Sequence, residues 1–85
     1  MYNIEFSTRS EKFLKKAERG IAERIIKSLQ RLKENSVPSD VKFIGRDNGE
    51  KVFRYRIGDY RTLYKIKESK RIILIIKIDK RPRIY

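Results

Sequence analysis

Two strand-like segments separated by a two-residue turn constrain this chain more than any other feature of its sequence. Residues 51–57 and 60–67 alternate apolar and polar side chains, and only Gly58 and Asp59 separate them. A two-residue loop that begins with glycine suits a tight turn of type II′. Such a turn fixes which residues lie opposite each other in the antiparallel pair, so the hairpin register can be predicted.

This register assigns every hairpin side chain to one of two faces, because paired residues share a face and each strand alternates. The face expected to join the core carries Phe53, Tyr55, Ile57, Tyr60, Thr62, Tyr64 and Ile66. The other face carries Arg54, Arg56, Arg61, Leu63 and Lys65. The sequence therefore predicts a basic surface in the middle of a sheet.

One pair on the basic surface stands out, because the register places Arg56 directly opposite Arg61. Like charges in that position destabilise an antiparallel pair by up to roughly 1 kcal/mol. A guanidinium fork donates two hydrogen bonds at once and fits a phosphate, so the pair indicates a site for a phosphate group. The alternative is a solvated face on which the arginine stems cover apolar surface.

The rest of the chain completes an α+β domain. A half-buried strand opens it, and Thr8 and Glu11 have the spacing of a capping box for a first helix that Gly20 should end. The expected elements after that are a helix over 21–32, a strand over 41–44, a polar loop over 45–50, the hairpin, and an apolar strand over 71–77. We predict a single domain, 1–85, with two N-terminal helices packed on one face of a mostly antiparallel sheet of four to five strands.

Composition narrows the chemistry and the partners. The chain has 23 basic and 11 acidic residues, a net charge of +12, and neither Cys nor His. Disulfides, thiolate sites and histidine-based catalysis are thereby excluded, and we expect no metal or other cofactor. The excess of positive charge points to a polyanion. The start of the chain lacks the pattern of a secretory signal and no segment is long enough to span a bilayer, so we expect a cytoplasmic protein without a membrane partner.

The hairpin sequence FRYRIGDYRTLY at 53–64 resembles that of the RelE/ParE superfamily of small bacterial and archaeal toxins. The basic ending DKRPRIY at 79–85 is similar to the tail of that superfamily. The resemblance implies the same α+β fold and a toxin held inactive by a cognate, RelB-like antitoxin. In the RelE branch it implies an endoribonuclease that cuts messenger RNA in the decoding site of the ribosome and so inhibits translation.

The resemblance also implies roles for individual residues. Arg61 matches the hairpin arginine that contacts the scissile phosphate, and Arg81 matches a tail arginine used on the same phosphate or the leaving group. Tyr85 matches a terminal tyrosine proposed for acid–base work. From the composition alone, Glu50 or Asp79 would be poorer substitutes for it. Arg56 is predicted to add electrostatic stabilisation. The predicted RNA contacts are Arg54, Lys65, Lys80 and Arg83.

Two other interpretations remain open on the sequence. A ParE-like toxin would inhibit DNA gyrase without catalysis, and a plain RNA-binding module would use the basic face and exposed aromatic rings. The hairpin aromatics are predicted to face the core, which gives the second alternative little support.

RNA can be cut without a metal when its own 2′-hydroxyl attacks the adjacent phosphate, so the endoribonuclease needs no protein nucleophile.

Overall fold

The structure, a computed structural model, describes residues 1–80 as two helices and one five-stranded sheet. The strands are β1 (Asn3–Phe6), β2 (Lys42–Asp47), β3 (Glu50–Ile57), β4 (Tyr60–Lys67) and β5 (Ile72–Lys80). The helices are α1 (Thr8–Lys16) and α2 (Arg19–Gln30), and a 3-10 turn, Arg31–Lys33, extends α2. The predicted α+β class with two N-terminal helices is confirmed. No helix within the described range is long and apolar enough to cross a membrane.

The apolar strand β5 occupies an interior place in the sheet, as its sequence predicts. The strand order is β1-β5-β4-β3-β2, with β5 parallel to β1 and antiparallel to β4. A strand with neighbours on both sides is shielded on two edges, which suits a run such as IILII at 72–76. The strand extends three residues beyond the predicted end at Lys77.

The helices cover one face of the sheet and leave the other face open. Ile25, Leu29 and Leu32 are buried against the hairpin side chains predicted to form the core, of which only Tyr60 is partly exposed. The uncovered side, which carries the arginines, is called the open face below. Burial of the apolar helix stripe against the sheet provides the main stabilisation of so small a domain.

Two details of the helical region differ from the sequence-based expectation. Ser7, not Thr8, caps α1, because its Oγ accepts a hydrogen bond from the Ser10 N–H at 3.1 Å. The break between the helices lies at Ala17, whose backbone is extended, and Gly20 lies within the first turn of α2.

A β-bulge divides β5 and changes which side chains reach the open face. Tyr64 pairs with Ile75 but Leu63 pairs with Lys77, so Ile76 is an extra residue without a partner on β4. The alternation of the strand reverses at this point: Ile75 and Ile78 both face the core. Lys77 and Asp79 consequently lie on the open face.

Candidate active site

The hairpin forms with the predicted register and brings the arginines to one surface. Arg56 pairs with Arg61 and Arg54 pairs with Leu63 across β3 and β4. Gly58 begins the turn with φ of +58°, and Asp59 has a negative φ. This combination agrees with a type II′ turn, in which only the first central residue is left-handed.

The three guanidinium groups on this surface are not neutralised by the part of the chain that the structure describes. Within residues 1–80, Arg54, Arg56 and Arg61 form no salt bridge and no side-chain hydrogen bond. Arg56 is exposed, while Arg54 and Arg61 are partly buried. An anion placed between them would receive several charge-assisted hydrogen bonds at once.

A shallow cleft of about 260 Å³ lies beside the Arg56–Arg61 pair. Its lining consists of Ile44, Arg54, Arg61, Leu63, Lys77 and Asp79. The Lys77 Nζ lies 2.9 Å from Asp79 Oδ2, and Asp79 is directly opposite Arg61 in the register of β4 and β5. The described part of the lining therefore combines three cations with one carboxylate, and positive charge dominates there.

Sequence reasoning did not place Lys77 in this cleft, and it considered Asp79 only as a minor acid–base group. The bulge at Ile76 is responsible, since an uninterrupted alternation would put Lys77 and Asp79 on the helix side with Ile75. Ile44 lies at a second irregularity, a register shift in β2 between Phe43 and Gly45. The shift in β2 lies next to Gly45, a residue type that often marks a bulge, whereas no such residue marks the shift in β5.

Lys65 shares the open face but lies in a different environment. Its Nζ is 2.9 Å from Asp47 Oδ2 and 3.3 Å from Glu50 Oε1, and only 12% of its side chain is exposed. The hydrogen bond to Asp47, followed by that to Glu50, raises the pKa of the Lys65 ammonium. Two carboxylates thus already satisfy this cation, which weighs against its predicted contact with RNA.

The remaining predicted site residues lie elsewhere. Lys80 pairs with Tyr60 and so faces the helix side, where it borders a groove of about 470 Å³ together with Arg9, Lys12 and Lys16. The structure does not bring it together with Arg61. Arg81, Arg83 and Tyr85 lie outside the described residues, and their roles stay predictions.

The aromatic residues of the hairpin serve the core. Phe53, Tyr55 and Tyr64 are buried, and the Tyr64 hydroxyl donates a hydrogen bond of 2.7 Å to the Ser36 carbonyl. Burial, the largest cause, raises the pKa of Tyr64 and keeps its phenol protonated. These rings are unavailable for stacking on bases. Within residues 1–80, no cluster of three or more carboxylates is placed to hold a metal ion.

The whole described fold matches known toxins. The family described as "ParE toxin of type II toxin-antitoxin system, parDE" matches residues 4–85. A protein of Methanocaldococcus jannaschii named "Putative toxin RelE1" is 33% identical over 85 residues, which cover 99% of this chain and 94% of the relative.

Solved structures show the same architecture. A chain of the archaeal RelE–RelB complex from Pyrococcus horikoshii has a TM-score of 0.85 at 24% identity, with 98% of each chain covered. The isolated E. coli RelE toxin has a TM-score of 0.78 at 21% identity, covering 99% of this chain and 88% of the toxin. At these identities the two likenesses establish the fold.

Proposed function

This chain belongs to the ParE toxin family of type II toxin–antitoxin systems, and we propose that it is a ribosome-dependent endoribonuclease that cuts messenger RNA and so inhibits translation. The observation that carries the proposal is the set of three arginines on the open face, Arg54, Arg56 and Arg61, which form no salt bridge within residues 1–80. Their guanidinium groups suit a phosphate backbone. The 33% identical relative named as a RelE toxin supports the RelE branch.

The reaction proposed for this surface is attack of an RNA 2′-hydroxyl on the adjacent phosphate. Negative charge builds up on the phosphate oxygens during the attack, and Arg61 and Arg56 would stabilise it. Electrostatic stabilisation by groups already in place is commonly the largest contribution to such a rate. Arg54 would hold the neighbouring backbone, and we retain Arg81 and Tyr85 as catalytic and Lys80 and Arg83 as RNA contacts from the family resemblance.

Primer extension on a defined message in a reconstituted translation reaction tests this proposal. We expect the wild-type chain to cut only when ribosomes are present. Arg61→Ala should slow cutting by about 100-fold or more, because one fixed donor to the developing charge is lost. Ribosome co-sedimentation of this variant should stay close to that of the wild type.

A matched control keeps the change in charge constant. Arg19 lies on α2, on the far side of the sheet, and its side chain is 92% exposed. Arg19→Ala also removes one positive charge and should leave cutting unchanged. Undiminished translation and intact message in the presence of the wild-type chain would overturn the proposal.

Inhibition of DNA gyrase is a second candidate, because the matching family is described by the ParE toxin. In that case the chain should block supercoiling by purified gyrase, and messages should remain intact on ribosomes. The same preparation should be used in both assays, so that a negative result in one can be compared with a positive result in the other.

We further propose an acidic antitoxin as the protein partner. The Pyrococcus structure is named as a RelE–RelB complex, and the net charge of +12 favours rapid capture by an acidic protein. The helix-side groove combines an apolar floor that includes Phe13 and Ile21 with basic side chains, which suits an acidic amphipathic segment. The complex with such an antitoxin should weaken as salt concentration rises.

A further inference from the structure

We infer that Asp79 is the proton acceptor of this site, an inference that rests on the proposed RNA cleavage. The three arginines of the open face can stabilise charge, but a guanidinium cannot accept a proton in a protein. Cleavage by a 2′-hydroxyl requires a group that takes the hydroxyl proton. Within residues 1–80, Asp79 is the one carboxylate that lines the cleft, and it lies directly opposite Arg61.

The bulge at Ile76 is what brings Asp79 to the arginines, and α1 holds that bulge in place. The Ser10 Oγ donates a hydrogen bond of 2.9 Å to the Ile75 carbonyl, and the Ser7 Oγ donates one of 2.7 Å to the Ile76 carbonyl. Ser10 is fully buried. A buried hydroxyl bonded to an irregular stretch of strand fixes that stretch, because losing the bond would leave polar groups unsatisfied.

Asp79 lies at the end of β5, where it borders both the cleft and the helix-side groove. Lys77, two residues earlier on the same face, holds Oδ2 at 2.9 Å. Among the described residues, the other charged groups around the end of β5 are Arg54 and Arg61 on the open face and Arg9, Lys12, Lys16, Glu18 and Lys80 around the helix-side groove.

The step balances without a cofactor. The 2′-oxygen forms a bond to phosphorus while its proton passes to the Asp79 carboxylate, and the bond between phosphorus and the 5′-oxygen breaks. The leaving 5′-oxygen takes a proton from water, and the resulting hydroxide removes the proton from Asp79. The products are a 2′,3′-cyclic phosphate and a 5′-hydroxyl, and Asp79 returns to its starting state.

A structural role would instead limit Asp79 to its ion pair with Lys77. Single-turnover cutting of ribosome-bound message separates the two roles when Asp79→Asn and Asp79→Glu are compared with wild type. A proton acceptor predicts a loss of about 100-fold or more for Asp79→Asn. The loss should occur with unchanged ribosome affinity. Asp79→Glu should regain part of the rate, since it keeps a carboxylate.

Asp47→Asn provides the matched control, because it removes a carboxylate that is also paired with a lysine on the same open face. It should cut like the wild type. Cutting by Asp79→Asn within about threefold of wild type would overturn the assignment, since a general base ordinarily contributes about 100-fold or more. Failure of the wild-type chain to cut would overturn the proposed function instead, so the two failures are distinguishable.

Discussion

Cations at the two ends of the open face meet different surroundings. At the end of the open face that is far from the hairpin turn, Lys65 lies within 3.3 Å of the carboxylates of both Asp47 and Glu50. Little of its side chain is exposed. Near the hairpin turn, Arg56 and Arg61 lie opposite each other without a salt bridge to any residue in the range 1–80. A lysine that forms salt bridges within its own fold stabilises that fold, whereas Arg56 and Arg61, which form none within residues 1–80, are available to an external anion.

The largest effect on the rate of cutting is expected when a carboxylate of the chain itself forms an ion pair with Arg61. Arg56→Glu would place a carboxylate opposite Arg61 and convert the repulsive pair into an attractive one. Cutting should fall by about 100-fold or more, because Arg61 would then bind the new carboxylate instead of the phosphate. The free energy of unfolding should rise by about 0.5 to 1 kcal/mol.

Urea unfolding and single-turnover cutting, measured on one preparation of Arg56→Glu, check these opposite shifts. Arg56→Ala serves as the control, since it removes the repulsion without adding an acid. A variant that loses stability and activity together would show that Arg56 serves the fold.

A smaller effect is expected at the turn that sets the arginine register. Gly58 has a φ of +58°, and an added Cβ would meet the Arg24 guanidinium. Gly58→Ala should lower the free energy of unfolding by about 1 to 2 kcal/mol, since an L-residue is strained in the left-handed region. Thermal unfolding gives the measurement. Gly58→Asn, which tolerates this conformation better, should lose less, and an equal loss from both would point to the steric contact instead.

The smallest effect is expected on stability, at Lys65 and its pair with Asp47. The pKa of Lys65 in the folded chain is raised above its ordinary value of 10.5, with Asp47 the largest cause. Its contribution to stability is therefore fully present below that value and is lost as pH rises through the folded pKa. Asp47→Asn should lower the free energy of unfolding by less than about 1 kcal/mol at neutral pH.

Urea unfolding of wild type and Asp47→Asn at neutral pH and above pH 11 tests this dependence, because titration of other groups affects both proteins alike. The difference between them should shrink at the higher pH. A difference that stays constant would show that Asp47 acts through something other than its pair with Lys65.

The hairpin and its two faces could be predicted from the sequence because a two-residue loop leaves one register, and the alternation then follows residue by residue. The cleft could not be predicted from the sequence, because its lining by Lys77 and Asp79 depends on the bulge at Ile76. The residues around the bulge are apolar on both faces, so their pattern contains no alternation that an extra residue would disturb. Similarly, the sequence predicted that the first helix ends at Gly20, but the helix ends at Ala17. Alanine is not a residue type that signals the end of a helix.

The difference between the two ends is tested most directly by removing one cation from each and measuring cutting of ribosome-bound message. Arg61→Ala and Lys65→Ala remove the same charge from the same face of β4. We expect Arg61→Ala to lose about 100-fold or more in rate and Lys65→Ala to cut like the wild type once its lower stability is taken into account. Equal losses from the two variants would contradict the assignment of the active site to the arginine end, because only the summed charge of the face would then matter.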